Sequence, residues 1–91
     1  MKGYIMRILL ITLCLLPMTA FASAECAVHP KEEWGSEDTL KQALTEEGYT
    51  IKKFKVDGNC YEIYGRNKQG KKVEIYFDTK TLEIVKAEIE K

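Results

Sequence analysis

The first 24 residues decide how much of this chain is left to fold. Lys2 and Arg7 give a positively charged start, and residues 8–16 form an apolar run that contains a single polar residue. The run is shorter than the ~20 apolar residues that a membrane-spanning helix requires. Residues 22–24 supply the small-residue pattern that precedes signal-peptidase cleavage. We therefore predict a cleaved signal peptide over residues 1–24, which places the mature chain in the periplasm or outside the cell.

Two alternatives to simple cleavage fit the sequence less well. A lipoprotein would need a small residue before its lipidated cysteine, whereas Leu13 precedes Cys14 and Glu25 precedes Cys26. An uncleaved membrane anchor would need a longer apolar run. We therefore expect no stable membrane insertion after cleavage.

Removing 24 of the 91 residues leaves 67, enough for one domain with a small core. Residues 25–35 show no hydrophobic period, so we predict an irregular N-terminal arm there and a domain over residues 36–91. Lys2 and Arg7 leave with the signal peptide, so 12 of the 14 basic residues remain beside all 14 acidic ones, a net charge of −2. A nucleic-acid partner would require a clustered basic face, and we expect none.

Two cysteines remain after cleavage, Cys26 and Cys60, because Cys14 lies in the signal peptide. In an oxidising compartment such a pair is expected to form a disulfide. The bond would close a loop of about 35 residues and stabilise the fold by about 3–4 kcal/mol. A redox pair is the disfavoured alternative, because catalytic dithiols usually lie close together in a Cys-x-x-Cys loop. We therefore predict a structural disulfide.

A helix is predicted directly after the arm. Ser36 is a good N-cap because its hydroxyl can accept a free backbone N–H of the first turn. The apolar residues that follow share one face at helical spacing: Leu40, Ala43 and Leu44. Gly48 suits the left-handed conformation that ends many helices. The predicted helix therefore covers about residues 37–47.

Four strands are predicted after the helix, because apolar, β-branched and aromatic residues alternate with polar ones there. They cover residues 49–56, 60–66, 72–78 and 82–89, the last of which could also be a helix. Short turns separate them, so consecutive strands should pair as an antiparallel meander. The predicted fold class is α+β, with one helix packed on a four-stranded antiparallel sheet and one disulfide.

Two turns determine the predicted register of the strands. Asp57-Gly58 is taken as a two-residue hairpin loop, and residues 68–70 as a three-residue loop with Gly70 at positive φ. The resulting pairs are Val56–Asn59 and Phe54–Tyr61 in the first hairpin, and Ile63–Ile75, Tyr61–Phe77, Glu62–Tyr76 and Tyr64–Glu74 in the second. A change in alternation at Lys52-Lys53 predicts a β-bulge in the first strand.

One face of this sheet lies under the helix, and the other carries the candidate binding residues. Tyrosines on an open sheet face offer rigid contact area with polar tips, which suits a protein interface. We predict a binding face formed by Glu62, Tyr64, Glu74 and Tyr76. In the alternative, the disulfide-held arm folds over this face and Trp34 covers the tyrosines. Glu62 and Glu74 could act as a carboxylate pair, but we favour the interpretation that both are solvated.

Three segments resemble the PepSY family, a small domain found in propeptides of some secreted metallopeptidases and as free-standing exported proteins. They are the helix leading into Gly48-Tyr49, residues 61–64, and residues 72–78 before a turn. The resemblance covers about residues 36–90. The family often has Asp-x-x-Thr-Gly at the last turn, whereas residues 78–82 read Asp-Thr-Lys-Thr-Leu and lack the glycine. The resemblance implies a helix-on-sheet domain without catalysis, with a regulatory or inhibitory role toward a protease or another exported protein.

No catalytic constellation is visible in the sequence. His29 is the one histidine, and a lone histidine is more often incidental than catalytic or metal-binding. We expect a non-enzymatic domain, without cofactor or bound metal, that binds or modulates another envelope or secreted protein. A peptidase is the partner class that the resemblance suggests. The alternative is a periplasmic sensor or carrier of a small ligand or metal ion, which would use the acidic sheet face.

Overall fold

The computed structural model describes residues 24–90, so the predicted signal peptide lies outside the described residues except for Ala24. The elements are a short 3-10 helix at Lys31–Glu33, the helix α1 at Glu37–Glu46, and the strands β1 at Thr50–Asp57, β2 at Cys60–Arg66, β3 at Lys72–Asp78 and β4 at Ile84–Ile89. The strands form one antiparallel sheet in the order β1-β2-β3-β4. This confirms the predicted α+β fold class, including a strand rather than a helix at the C-terminal end.

Helix α1 begins and ends where the sequence predicts it. The Ser36 hydroxyl accepts hydrogen bonds from the backbone N–H groups of Asp38 and Thr39, at 3.1 and 3.3 Å. Gly48 adopts a φ of 96°, the left-handed conformation in which glycine avoids the steric cost of a Cβ atom. Both ends of the helix are thus capped by local sequence, which matters because a ten-residue helix is marginal without packing.

The core lies between α1 and the two central strands. Its buried members are Leu40, Leu44, Tyr61, Ile63, Val73, Ile75 and Phe77. Trp34 from the arm packs edge-on against Tyr61 with ring centroids 5.4 Å apart, and the Tyr61 hydroxyl donates to the Gly35 carbonyl at 2.7 Å. Each fully buried side chain of this size is worth about 1.5–3 kcal/mol, so β2 and β3 carry most of the apolar stabilisation.

The β1–β2 turn differs from the prediction by one residue. The loop is Gly58-Asn59 rather than Asp57-Gly58, and the observed pairs are Asp57–Cys60, Val56–Tyr61 and Phe54–Ile63. The predicted pairs Val56–Asn59 and Phe54–Tyr61 are wrong. Gly58 has a φ of 64° while Asn59 is not in a positive-φ conformation, which matches a type II′ turn. The register moves by two residues, so every side chain keeps its predicted face.

The second hairpin and the bulge match the prediction. All four predicted β2–β3 pairs are present, and Gly70 adopts a φ of 85°. The β1–β2 register shifts between Ile51 and Lys53, which confirms the β-bulge. Asn67 supports the loop with its side chain, which accepts the backbone N–H groups of Gln69 and Lys71 at 3.0 and 2.9 Å. The apolar residues of β2 and β3 therefore face the core as predicted.

The β3–β4 turn places a branched residue in the left-handed region. Leu82 has a φ of 64°, at the position where the PepSY resemblance leads one to expect glycine. The Asp78 carboxylate holds the turn by accepting the N–H groups of Lys80 and Thr81 at 2.8 and 2.9 Å. The Leu82 side chain packs against the core cluster. Core packing therefore offsets a backbone strain that costs a non-glycine residue about 1–2 kcal/mol.

Two substitutions at Leu82 should separate this strain from the packing. Leu82→Ala and Leu82→Gly both remove the apolar side chain, but only glycine adopts a positive φ without cost. We expect Leu82→Gly to be more stable than Leu82→Ala by about 1 kcal/mol, which reverses the usual order of alanine and glycine. Urea unfolding of the two variants measures the difference. An alanine variant equal to or more stable than the glycine variant would show that the turn stores no such strain.

Candidate functional site

The predicted binding residues lie together on the sheet face opposite α1. Glu62 pairs with Tyr76 and Tyr64 pairs with Glu74 across β2 and β3, and residues two apart in a strand share a face. Lys55 on β1 and Lys86 on β4 pair with Glu62 and Tyr76 and flank the group on either side. We call this set the polar face; it consists of Lys55, Glu62, Tyr64, Glu74, Tyr76 and Lys86.

The polar face is packed rather than open, which corrects the prediction. Glu62 is 1% exposed and Tyr76 is 4% exposed, so neither side chain is solvated. Tyr64 and Glu74 are half-buried and remain accessible. The Lys55 ammonium lies 5.7 Å from the centroid of the Tyr64 ring. Glu62 is buried because it occupies a central strand, where side chains from neighbouring strands cover it.

Glu62 is the one acid on the polar face whose carboxylate lacks hydrogen-bond partners among residues 24–90. The nearest cation is the Lys55 ammonium, 3.9 Å away. Glu74, by contrast, accepts a hydrogen bond from the Tyr76 hydroxyl at 2.9 Å. A buried carboxylate without partners is costly, and a protonated carboxyl group can instead donate to a neighbouring acid. The burial of Glu62 therefore favours its neutral form.

The pKa values of the group follow from this arrangement. Burial raises the pKa of Glu62, and the neighbouring Glu74 raises it further. The pKa of Glu74 is lowered, first by the neighbouring Glu62 carboxyl and then by the Tyr76 hydroxyl, against the opposing effect of burial. The two carboxyls, Glu62 foremost, raise the pKa of the Tyr64 phenol. Of the two carboxyls, Glu62 therefore has the raised pKa and Glu74 the lowered one.

We expect Glu62→Gln to stabilise the protein at neutral pH. The Glu62 pKa lies above its ordinary value of 4.5 in the folded state, so the folded state holds this proton more tightly than the unfolded chain. The contribution of Glu62 to stability is fully present below pH 4.5 and is lost as the pH rises through the raised pKa of the folded state. Glutamine is neutral at every pH and can donate to Glu74. We therefore expect the free energy of unfolding of Glu62→Gln to exceed that of the parent by about 1–3 kcal/mol above that pKa.

Urea unfolding of the parent and Glu62→Gln across acidic to neutral pH measures this gain. Glu83→Gln serves as the control, because Glu83 is an exposed acid in the β3–β4 turn and should leave the curve unchanged. Glu74 contributes in the opposite direction: its lowered pKa adds stability that is lost only as the pH falls through its folded value. Parallel curves for the parent and Glu62→Gln would show that Glu62 does not titrate in this way.

The N-terminal arm is fastened at one end of the polar face. The Cys26–Cys60 disulfide has an S–S distance of 2.04 Å and confirms the predicted pairing. His29 lies 3.1 Å from the Asp78 carboxylate, so the lone histidine is engaged in holding the arm. Asp78 has a pKa lowered to about 2, first by the Thr81 backbone N–H of the turn and also by His29, against the effect of its own burial. The arm is therefore anchored covalently and by hydrogen bonds.

The arm does not cover the tyrosines of the polar face through Trp34. Trp34 lies on the α1 side of the sheet, against Tyr61, and its indole N–H donates to the His29 carbonyl at 2.9 Å. The alternative in which Trp34 packs over Tyr64 and Tyr76 is therefore wrong. Between Cys26 and Trp34 the arm crosses the end of the sheet, from the side of the polar face to the core side.

Tyr64 is the feature of the polar face best placed to meet a partner. Two shallow open grooves border its ring. One is lined by Lys72, Val73, Glu74, Glu88, Ile89 and Glu90, and the other by Lys52, Gly65, Arg66, Lys72 and Val73. The sequence pattern indicates the face but not these grooves, because they depend on how the strand ends twist past one another. No group of three or more metal-binding side chains occurs within the described residues.

Comparison with known families accounts for this architecture. The family described as "peptidase propeptide and YPEB domain" (PepSY_2) matches the chain over residues 6–88. The chain belongs to this family. The PepSY match confirms the resemblance and extends it from about residue 36 back to residue 6, into the predicted signal peptide. Searches of the curated proteins and of the solved structures return no match.

No helix among residues 24–90 is long and apolar enough to span a membrane. The site that the structure brings together is the half-exposed Tyr64 beside Glu74, on the two central strands, next to the buried acid Glu62. Such a surface can bind a partner by stacking, hydrogen bonding and charge attraction.

Proposed function

We propose that this PepSY domain is an exported, non-enzymatic module that binds and modulates another envelope or secreted protein, with a peptidase as the first partner class to test. Tyr64 is the central contact. The observation that carries the proposal is the position of Tyr64, half-buried between two grooves on a face whose other tyrosine and acid are fixed by packing. Tyrosine held in this way is a frequent source of binding energy in protein interfaces.

Two further observations support the individual parts of the proposal. The family description names a peptidase propeptide, which makes a peptidase the first partner class to test. The Cys26–Cys60 disulfide is typical of proteins that fold in an oxidising compartment, which supports export through the predicted signal peptide. The intact mass of the protein recovered from the cell envelope gives the cleavage site.

Site-specific photocrosslinking in the native envelope tests the proposed contact. A photoreactive amino acid is placed at Tyr64, and the control carries it at Gln42, which is exposed on α1 on the opposite side of the sheet. We expect one protein to be captured at Tyr64 and not at Gln42, and mass spectrometry identifies it. If that protein is a peptidase, adding the purified PepSY domain should lower its rate of substrate hydrolysis. Equal capture at both positions, or none at Tyr64, would contradict the proposal.

A further inference from the structure

Strand β4 leaves one edge of the sheet unpaired among the described residues. It bonds to β3 alone, and its apolar side chains remain accessible: Ile84 is 56%, Val85 43% and Ile89 54% exposed. An edge strand with free backbone groups and exposed apolar side chains is a template for pairing with another strand. The distribution of charge along β4 indicates which strand it fits.

The opposite edge of the sheet is protected against such pairing. Strand β1 carries Lys52, Lys53 and Lys55, and a β-bulge interrupts it between Ile51 and Lys53. Lysines of one sign and a bulge are the usual protection of an exposed edge, because a second copy would meet like charges and a distorted backbone. Strand β4 has an irregularity only at its start, between the Tyr76–Lys86 and Phe77–Ile84 pairs. Its regular part, residues 86–89, carries the opposite charges of Lys86 and Glu88 on either side of Ala87.

The backbone of β4 is oriented for pairing at Ala87. The Glu90 N–H donates to the Lys72 carbonyl at 3.0 Å, so Glu90 directs its backbone groups toward β3. Because this direction alternates along a strand, Lys86 and Glu88 also face β3, while Ala87 and Ile89 present their N–H and C=O groups to the free edge. Two antiparallel copies of β4 centred on Ala87 would therefore exchange both hydrogen bonds at that residue.

We propose that β4 is a homodimerisation edge, on which a second copy of this chain pairs antiparallel with Ala87 opposite Ala87. In this register Lys86 lies opposite Glu88 of the second copy, within the regular part of β4. The two-fold symmetry produces each contact twice. The Lys86 ammonium and the Glu88 carboxylate are 3.4 Å apart within one chain, so pairing exchanges the two intrachain ion pairs, one in each copy, for two cross-strand pairs.

The resulting dimer has a defined shape. Both copies present the same face to the same side, because the symmetry axis runs perpendicular to the sheet. Ala87 and Ile89 lie on the α1 side, since they pair with Ile75 and Val73 of the core. The Ile89 side chains of both copies therefore lie on the α1 side of the joined sheet, at opposite ends of the paired segment. Tyr64 lies on β2, but one groove beside it is lined by Glu88, Ile89 and Glu90, so a partner in that groove would lie next to the dimer contact.

Charge reversal on β4 tests the proposed register. The protein is expressed from its full-length coding sequence, and its mass is followed by analytical ultracentrifugation from micromolar to millimolar concentration. We expect the parent to pass from monomer to dimer. Lys86→Glu and Glu88→Lys alone should each weaken dimerisation by about tenfold, because two cross-strand pairs become like-charged. The double variant, and an equimolar mixture of the two single variants, should both recover dimerisation.

Ala87→Pro provides a second test that is independent of charge. Proline at Ala87 removes an N–H that faces the free edge and leaves the bonds to β3 intact, so the monomer should keep its melting temperature. We expect this variant to remain monomeric at every concentration. A parent that stays monomeric throughout would overturn the proposal. So would single charge variants that dimerise as well as the parent, a mixture that does not recover dimerisation, or dimerisation of Ala87→Pro.

Discussion

Replacing Cys26 and Cys60 together by serine is expected to lower the free energy of unfolding by about 3 kcal/mol. The disulfide joins residues 34 apart in sequence, so its loss frees a long loop in the unfolded chain. It also releases Cys26 from the end of the polar face, which leaves the arm held by His29 and Trp34. A core of this size can hold only a few kcal/mol in total.

Thermal unfolding followed by circular dichroism measures this loss. A change of 1 kcal/mol shifts the melting temperature of a small domain by about 4–8 °C, so the double variant should melt at least about 12 °C below the oxidised parent. Reductant should lower the melting temperature of the parent to that of the double variant. It should leave the melting temperature of the double variant unchanged, because the variant has no disulfide to lose. A double variant that melts with the oxidised parent would show that the bond adds no stability.

Gly65→Ala is the second substitution with a large expected effect. Gly65 lies on β2 opposite Ile51, beside the β1 bulge, and a Cβ atom there would overlap the Thr50 backbone carbonyl oxygen. A backbone atom within a hydrogen-bonded pair of strands cannot move aside without breaking the pairing. We therefore expect Gly65→Ala to lower the free energy of unfolding by about 3 kcal/mol or more, at the upper end of the range for single substitutions.

Gly70→Ala is the matched control for this steric effect. Gly70 has open space around its missing Cβ atom, so alanine there meets only the cost of a φ of 85°. That cost is about 1 kcal/mol. Chemical denaturation should therefore show that Gly65→Ala lowers the free energy of unfolding about three times as much as Gly70→Ala does. Equal losses would mean that β1 shifts away from Gly65 at little cost.

The sequence predicts the parts of the fold that local chemistry determines. Ser36 and Gly48 define the ends of α1, and the even number of cysteines after cleavage indicates the disulfide. The β1–β2 register could not be predicted, because Asp57-Gly58 and Gly58-Asn59 both suit a two-residue loop. The two alternatives differ by two residues and place every side chain on the same face, so the hydrophobic pattern does not distinguish between them.

Exposure of the polar face could not be predicted for a related reason. Alternation along a strand tells which face a side chain occupies, but not how far neighbouring strands cover it. Glu62 lies on a central strand and is enclosed, while Tyr64 lies farther along the same strand and is half-exposed. The position of Trp34 depends on where the arm crosses the sheet, which no local pattern encodes. The binding role of the face stays a prediction.

The affinity of the protein captured at Tyr64 tests the central claim most directly. Calorimetric titration with the parent, Tyr64→Phe and Tyr64→Ala measures it, and Gln42→Ala on α1 is the control. Loss of a central aromatic contact costs about 2 kcal/mol or more, so Tyr64→Ala should bind at least about 30-fold more weakly. Tyr64→Phe keeps the ring and should bind close to the parent. Equal affinities for the parent, Tyr64→Ala and Gln42→Ala would contradict a binding role for the polar face.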